Sequence, residues 1–124
     1  MKKILLAAFI VTAFSSFTYI SFTEVINAIK SGNAAEVAKH FDNTVELTLP
    51  EKSSSFSKSQ ALLVLHDFFN ENPVKNFQVI HQSEKAGSEY CIGTLATTNG
   101  SFRTTIYMKQ VGGKQLIQEL RFEK

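Results

Sequence analysis

The stretch from Phe77 to Lys124 constrains this chain most, because it reads as four β-strands joined in a row by short turns. Asn99-Gly100 lies between the β-prone runs Tyr90–Thr98 and Phe102–Gln110. Asn-Gly in that setting is the strongest short hairpin signal, since both residues tolerate φ > 0. Gly112-Gly113 marks a second hairpin, between Gln110-Val111 and Lys114-Gln115. Ahead of these, Ala86-Gly87-Ser88 leads Phe77–Ser83 into the Tyr90 strand. Such a meander must bury at least one face against another layer. The upstream residues supply that layer as helices.

Ser21-Phe22-Thr23-Glu24 has the form of a capping box, and Val25, Ile26 and Ile29 follow at helical spacing until Gly32. Asn33-Ala34-Ala35-Glu36 caps a second helix, with the apolar stripe Ala34, Val37, Ala38 and Phe41. Val45 to Leu49 alternates apolar and polar residues as a half-buried strand, ended by Pro50. Glu51 to Ser57 reads as a serine-rich rim loop. A third helix starts at Ser57 or Ser59 and runs to about Asn70, halted before Pro73. Its broad apolar face holds Ala61, Leu62, Val64, Leu65, Phe68 and Phe69. The expected class is therefore α+β. A helical arm and a third helix pack on a curved antiparallel sheet, in the order α-α-β-α-β-β-β-β.

The amino terminus reads differently. Lys2-Lys3 precedes an apolar run from Ile4 to Phe14, and small and polar residues follow at Ser15, Ser16, Thr18 and Ser21. That pattern describes a secretory signal peptide, taken here as residues 1–21 with residues 22–124 as one domain. The run is shorter than the roughly 20 apolar residues that span a bilayer. The expectation is export across the inner membrane to the periplasm. Two of the 13 basic residues leave with the leader, so 11 basic residues face 11 acidic ones and the remaining domain has no formal net charge. A nucleic-acid binder needs clustered Lys and Arg, which this balance and spacing do not provide. The single cysteine, Cys91, cannot close an intrachain disulfide, so packing alone must hold the fold.

Turn geometry sets register, and register decides which side chains share a face. With Asn99-Gly100 as a two-residue loop, Leu95 opposes Thr104, Gly93 opposes Ile106, and Cys91 opposes Met108. With Gly112-Gly113 likewise, Met108 opposes Ile117, Ile106 opposes Glu119, and Thr104 opposes Arg121. The helix-covered face then holds Cys91, Leu95, Phe102, Ile106, Met108 and Ile117, with Glu119 and Arg121 among them. The reverse face holds Tyr90, Ile92, Thr105, Tyr107, Leu116, Leu120 and Phe122. A single bulge swaps part of this assignment.

Ser31-Gly32-Asn33 between the arm helices, Ala38-Lys39-His40-Phe41-Asp42 entering the first strand, and Leu116-Ile117-Gln118-Glu119-Leu120 at the end carry a resemblance. On these residues and on element order, the chain resembles the nuclear-transport-factor-2-like superfamily, the cone shared with ketosteroid isomerase. Within it, the chain looks like a branch of small secreted Gram-negative proteins of unknown function. The resemblance implies a cone-shaped pocket, frequent dimerisation through the outer sheet face, and a structural cap at Asp42.

No catalytic set is assigned, and neither a metal nor a cofactor is expected. The pocket candidates are His81, Glu119, Arg121, Met108 and Phe69; the interface candidates are Ile92, Tyr107, Leu116 and Leu120. The leading expectation is a non-enzymatic binding or scaffold domain. It would take a small apolar ligand in the cone, or a homodimer or envelope-protein partner on the outer face. The alternative is a small hydrolyase or isomerase using His81 with Glu119. A cone filled by Phe41, Leu65, Phe69 and Met108 favours the first.

Overall fold

The computed structural model describes residues 17–124, with side chains from Phe22 onward. The expected leader lies outside the described residues except for the backbone of 17–21, which opens the first helix. Three helices, α1 (Phe17–Lys30), α2 (Ala34–Ala38) and α3 (Lys58–Glu71), cover one side of a sheet. The strands are β1 (Phe41–Leu49), β2 (Lys52–Ser57), β3 (Val74–Lys85), β4 (Ser88–Thr97), β5 (Gly100–Val111) and β6 (Lys114–Glu123). Their order across the sheet is β2-β1-β6-β5-β4-β3. The sheet is mixed, because β1 runs parallel to β6 while every other pair is antiparallel.

The helix ends are set by side chains. Asn33 Oδ1 accepts the Glu36 N–H at 3.1 Å and starts α2. Ser57 Oγ accepts the Gln60 N–H at 3.3 Å and starts α3. Asn72 donates from both its backbone and its side chain to Phe68 O, at 2.9 and 3.0 Å, and Pro73 then bars continuation. The second helix ends at Ala38, so Phe41, expected on its apolar stripe, opens β1, and Asp42 caps no helix. The first helix also departs from expectation. It begins at Phe17, so Ser21 lies inside α1 and not at its cap.

The serine-rich segment is a strand, not a loop. Ser55 Oγ donates to Glu46 Oε1 at 3.1 Å, and Ser53 Oγ and Thr48 Oγ1 share a hydrogen bond at 3.0 Å. A short polar edge strand and a polar loop have the same composition, and such an edge resists unwanted pairing.

The turn between β4 and β5 is Thr98-Asn99, with Thr97 opposite Gly100 and Gly100 at φ 110°. The pairing therefore sits two residues from the expected one: Leu95 faces Phe102 and Cys91 faces Ile106. A two-residue shift leaves every side chain on its expected face. The cause is tertiary. Asn99 Nδ2 donates to Glu71 O at 2.6 Å, and the Thr98 N–H donates to Pro73 O at 3.0 Å, tying the hairpin tip to the end of α3. The Gly112-Gly113 turn forms as expected, with Val111 opposite Lys114.

Between β5 and β6 the register slips by one. Met108 faces Ile117, but Tyr107 faces Glu119, which leaves Gln118 as the extra residue of a bulge. Gln118 Nε2 donates to Asp42 Oδ2 at 2.8 Å, and Asp42 Oδ1 accepts the Asn43 N–H at 2.7 Å. Beyond the bulge the expected faces are exchanged. Leu120 and Phe122 turn inward and are fully buried, opposite Ile106 and Thr104. Glu119 and Arg121 turn outward. A second bulge between Val79 and His81 places His81 opposite Ile92, exposed, and not beneath the helices as its alternation with Phe77 and Val79 suggests.

The core runs from α1 through Phe41, Val45 and Leu47 to an aromatic cluster. Phe68 stacks on Phe122 with ring centroids 4.7 Å apart and meets Phe102 edge-on at 5.2 Å. Phe69 meets Phe122 edge-on at 6.1 Å.

The exchange of faces sets the cost of truncation. Leu120→Ala is expected to destabilise by about 2–5 kcal/mol and Leu116→Ala by no more than about 1 kcal/mol, read from urea unfolding. The reverse ranking contradicts the bulge. Asp42 gives a pH signature. Its pKa is held below the ordinary 3.8, first by the Gln118 amide and then by the Asn43 N–H. A depressed carboxylate contributes stability above its unfolded pKa that is lost as pH falls through the folded value. Gln118→Ala should therefore raise the Asp42 titration midpoint in carbon-detected NMR and weaken the loss of stability below about pH 4.

Candidate functional site

The interior of the cone is packed. Phe41, Leu65, Phe69 and Met108 are at most 6% exposed, and Phe68, Phe102 and Phe122 fill the remaining width. The mouth of the cone stays open. A cleft of about 650 Å³ lies between α3, the β1–β2 turn and the end of β6. Leu49, Val64, Phe68 and Phe102 form its apolar floor, and Glu51, Lys52, Asp67, Glu71 and Lys124 stand around the rim. Lys124 Nζ lies 4.9 Å from the Phe102 ring centroid and donates to Asn99 O at 3.1 Å. Charged rims over an apolar floor suit a ligand with one greasy and one polar end.

Sequence reasoning missed these residues, although α3 carried a signal for them. Val64, Asp67, Phe68 and Glu71 recur at i, i+3, i+4 and i+7, so apolar and acidic groups share one helical face. The contributions of Leu49, Phe102 and Lys124 depend on where strand ends meet, which no local pattern reports.

The predicted pocket residues are dispersed. Met108 and Phe69 are core side chains. Glu119 and Arg121 do come together, Arg121 Nη1 lying 3.5 Å from Glu119 Oε2, with Glu123 Oε2 at 3.2 Å from Nη2. They do so on the outer face. Both partners are partly exposed, so each contact contributes at most about 1 kcal/mol. His81 is also on the outer face, but on β3, three strands from β6, a separation of about 14 Å at the usual strand spacing. His81 and Glu119 cannot share a proton across that distance.

Of the predicted interface residues, Ile92, Tyr107 and Leu116 line the outer face and are half-buried, whereas Leu120 is in the core. Tyr107 and Tyr90 rings sit 6.0 Å apart, and the Tyr107 hydroxyl shares a 3.3 Å hydrogen bond with Ser88 Oγ. The other histidines are apart from both sites. His40 is half-buried behind α2, where burial lowers its pKa against the opposing pull of Glu24 and Glu36. His66 is exposed on α3. Burial pushes the Cys91 thiol up to about 11, the behaviour of an inert core residue and not of a nucleophile.

The fold and the family are shown by comparison with known proteins. A family model described as a domain of unknown function (DUF4783) matches residues 22–123. A search of curated proteins gave no match. The crystal structure of a DUF4783 protein from Bacteroides ovatus is 38% identical, with a TM-score of 0.78, covering 82% of this chain and 92% of that one. Another from Bacteroides uniformis is 34% identical, with a TM-score of 0.80, covering 82% and 94%. An NTF2-like protein of unknown function from Cytophaga hutchinsonii shares the fold at 13% identity, with a TM-score of 0.62 and coverage of 91% and 92%. The chain belongs to the DUF4783 family and has the NTF2-like fold.

Proposed function

We propose that the protein is an exported, non-enzymatic binding domain that takes a small amphiphile at the mouth of its cone. One observation carries this reading. The interior that holds the chemistry of cone-shaped enzymes is occupied here by the protein's own phenylalanines, and a cleft with an apolar floor and a charged rim opens at the mouth. His81 and Glu119, the pair an isomerase or hydrolyase would need, lie outside that interior and far apart. The leader-like amino terminus supports a periplasmic location.

A partner on the outer sheet face is the second reading, carried by Tyr90, Ile92, Tyr107 and Leu116. It is weakened by the inward turn of Leu120 and Phe122, which leaves Glu119, Arg121 and Glu123 among those apolar groups.

Titration of the labelled domain with decanoate tests the choice. Amide shifts confined to Leu49, Val64, Phe68, Phe102 and their neighbours are expected, unchanged in His81→Ala and reduced at least fivefold in apparent affinity in Val64→Glu. Shifts centred on Ile92 and Tyr107, or none at millimolar decanoate, contradict the mouth as the binding site.

A further inference from the structure

Among the described residues, Glu89 is the charged side chain that the fold buries, at 5% exposure. It stands on the inner face of β4, opposite Met108, and its Oε1 has no hydrogen-bond partner among the described residues. An unpaired carboxylate in such a place is strongly disfavoured. Burial, and then the nearby Glu84 carboxylate, accordingly push its pKa up. Glu89 and Glu84 line an open cavity of about 270 Å³, together with Gln82, Ser83, Phe22 and Thr23. Two acids against one small cavity call for a compact cation with several donors.

Phe22 and Thr23 are the first residues after the expected leader, and the family match also begins at residue 22. Cutting the leader there places a new α-ammonium at the lip of the cavity. It would also stand at the start of α1, where the positive end of the helix dipole opposes it and a neighbouring carboxylate offsets the repulsion.

We propose that Glu89, with Glu84, is a receptor for a primary ammonium, and that its occupant is the chain's own amino terminus, released at or beside Phe22. The proposal rests on the export reading above. In the cut chain the ammonium donates to these carboxylates, Glu89 Oε1 having no partner among the described residues, and anchors α1 against the β3–β4 hairpin.

The exported chain, purified from cells making the 124-residue precursor, supplies the test. Intact mass fixes its first residue, expected within about one helical turn, roughly four residues, of Phe22. Selective acetylation of the α-amino group should lower the wild-type melting temperature by about 4–8 °C and leave Glu89→Gln nearly unchanged. The free terminus should titrate above the ordinary range of about 7.7–8.0 in wild type but not in Glu89→Gln. Methylamine at millimolar concentration should restabilise the acetylated wild type and not the unmodified protein. Equal acetylation effects in wild type and Glu89→Gln, or none in either, overturn the proposal alone. Stabilisation of the unmodified protein by methylamine overturns the chain's own terminus as occupant. An uncut chain, or a first residue well outside that turn, overturns the proposal, and the uncut chain overturns the export reading with it.

Discussion

The hydrogen bond from the Gln118 amide to the Asp42 carboxylate, at 2.8 Å, decides which half of β6 faces the core. Gln118 is the odd residue in the ladder between β5 and β6, and a strand cannot carry an odd residue without exchanging its two sides. Asp42 lies at the start of β1, the strand that runs parallel to β6, so the bond also marks where these two distant segments join. Phe41 beside it pairs with Ile117, and regular pairing resumes at Glu46 and Glu119. Because the exchange occurs there, Leu120 and Phe122 enter the core and Phe122 stacks on Phe68. Without it, Glu119 and Arg121 would stand where those side chains are.

From that exchange follow both features that bear on function. Inside, Phe122 completes the aromatic cluster that fills the cone, which leaves a cleft with an apolar floor at the mouth between α3 and the β1–β2 turn. Outside, Arg121 lies between Glu119 and Glu123, so a face that would otherwise be largely apolar carries charge down its centre. A filled cone and a charged reverse face both favour a role in holding something at the rim. The fold alone leaves many roles open, since this architecture hosts unrelated functions.

Much of the fold was legible in local chemistry. Asn33 and Ser57 cap the helices they were read to cap, Gly112-Gly113 makes its turn, and the apolar face of α3 is the buried one. The misses share a cause. Two bulges, at Gln118 and before His81, leave no mark in the alternation of the strands that carry them, and the one at Gln118 is tied to the remote Asp42. The Thr98-Asn99 turn is likewise drawn from its expected place by the end of α3. Serines 53 to 55 are equally at home in a loop or on a polar edge. The site suffered most, because one bulged residue in β6 carries Glu119 and Arg121, and another in β3 carries His81, out of the pocket to which strict alternation assigns them.

The register across the bulge is open to direct measurement by cross-strand nuclear Overhauser effects on the labelled protein. Contacts linking Ile106 with Leu120 and Thr104 with Phe122 are predicted, alongside Met108 with Ile117 on the near side of Gln118. Contacts linking Ile106 with Glu119 and Thr104 with Arg121 would show an unbroken ladder and contradict the exchange of faces.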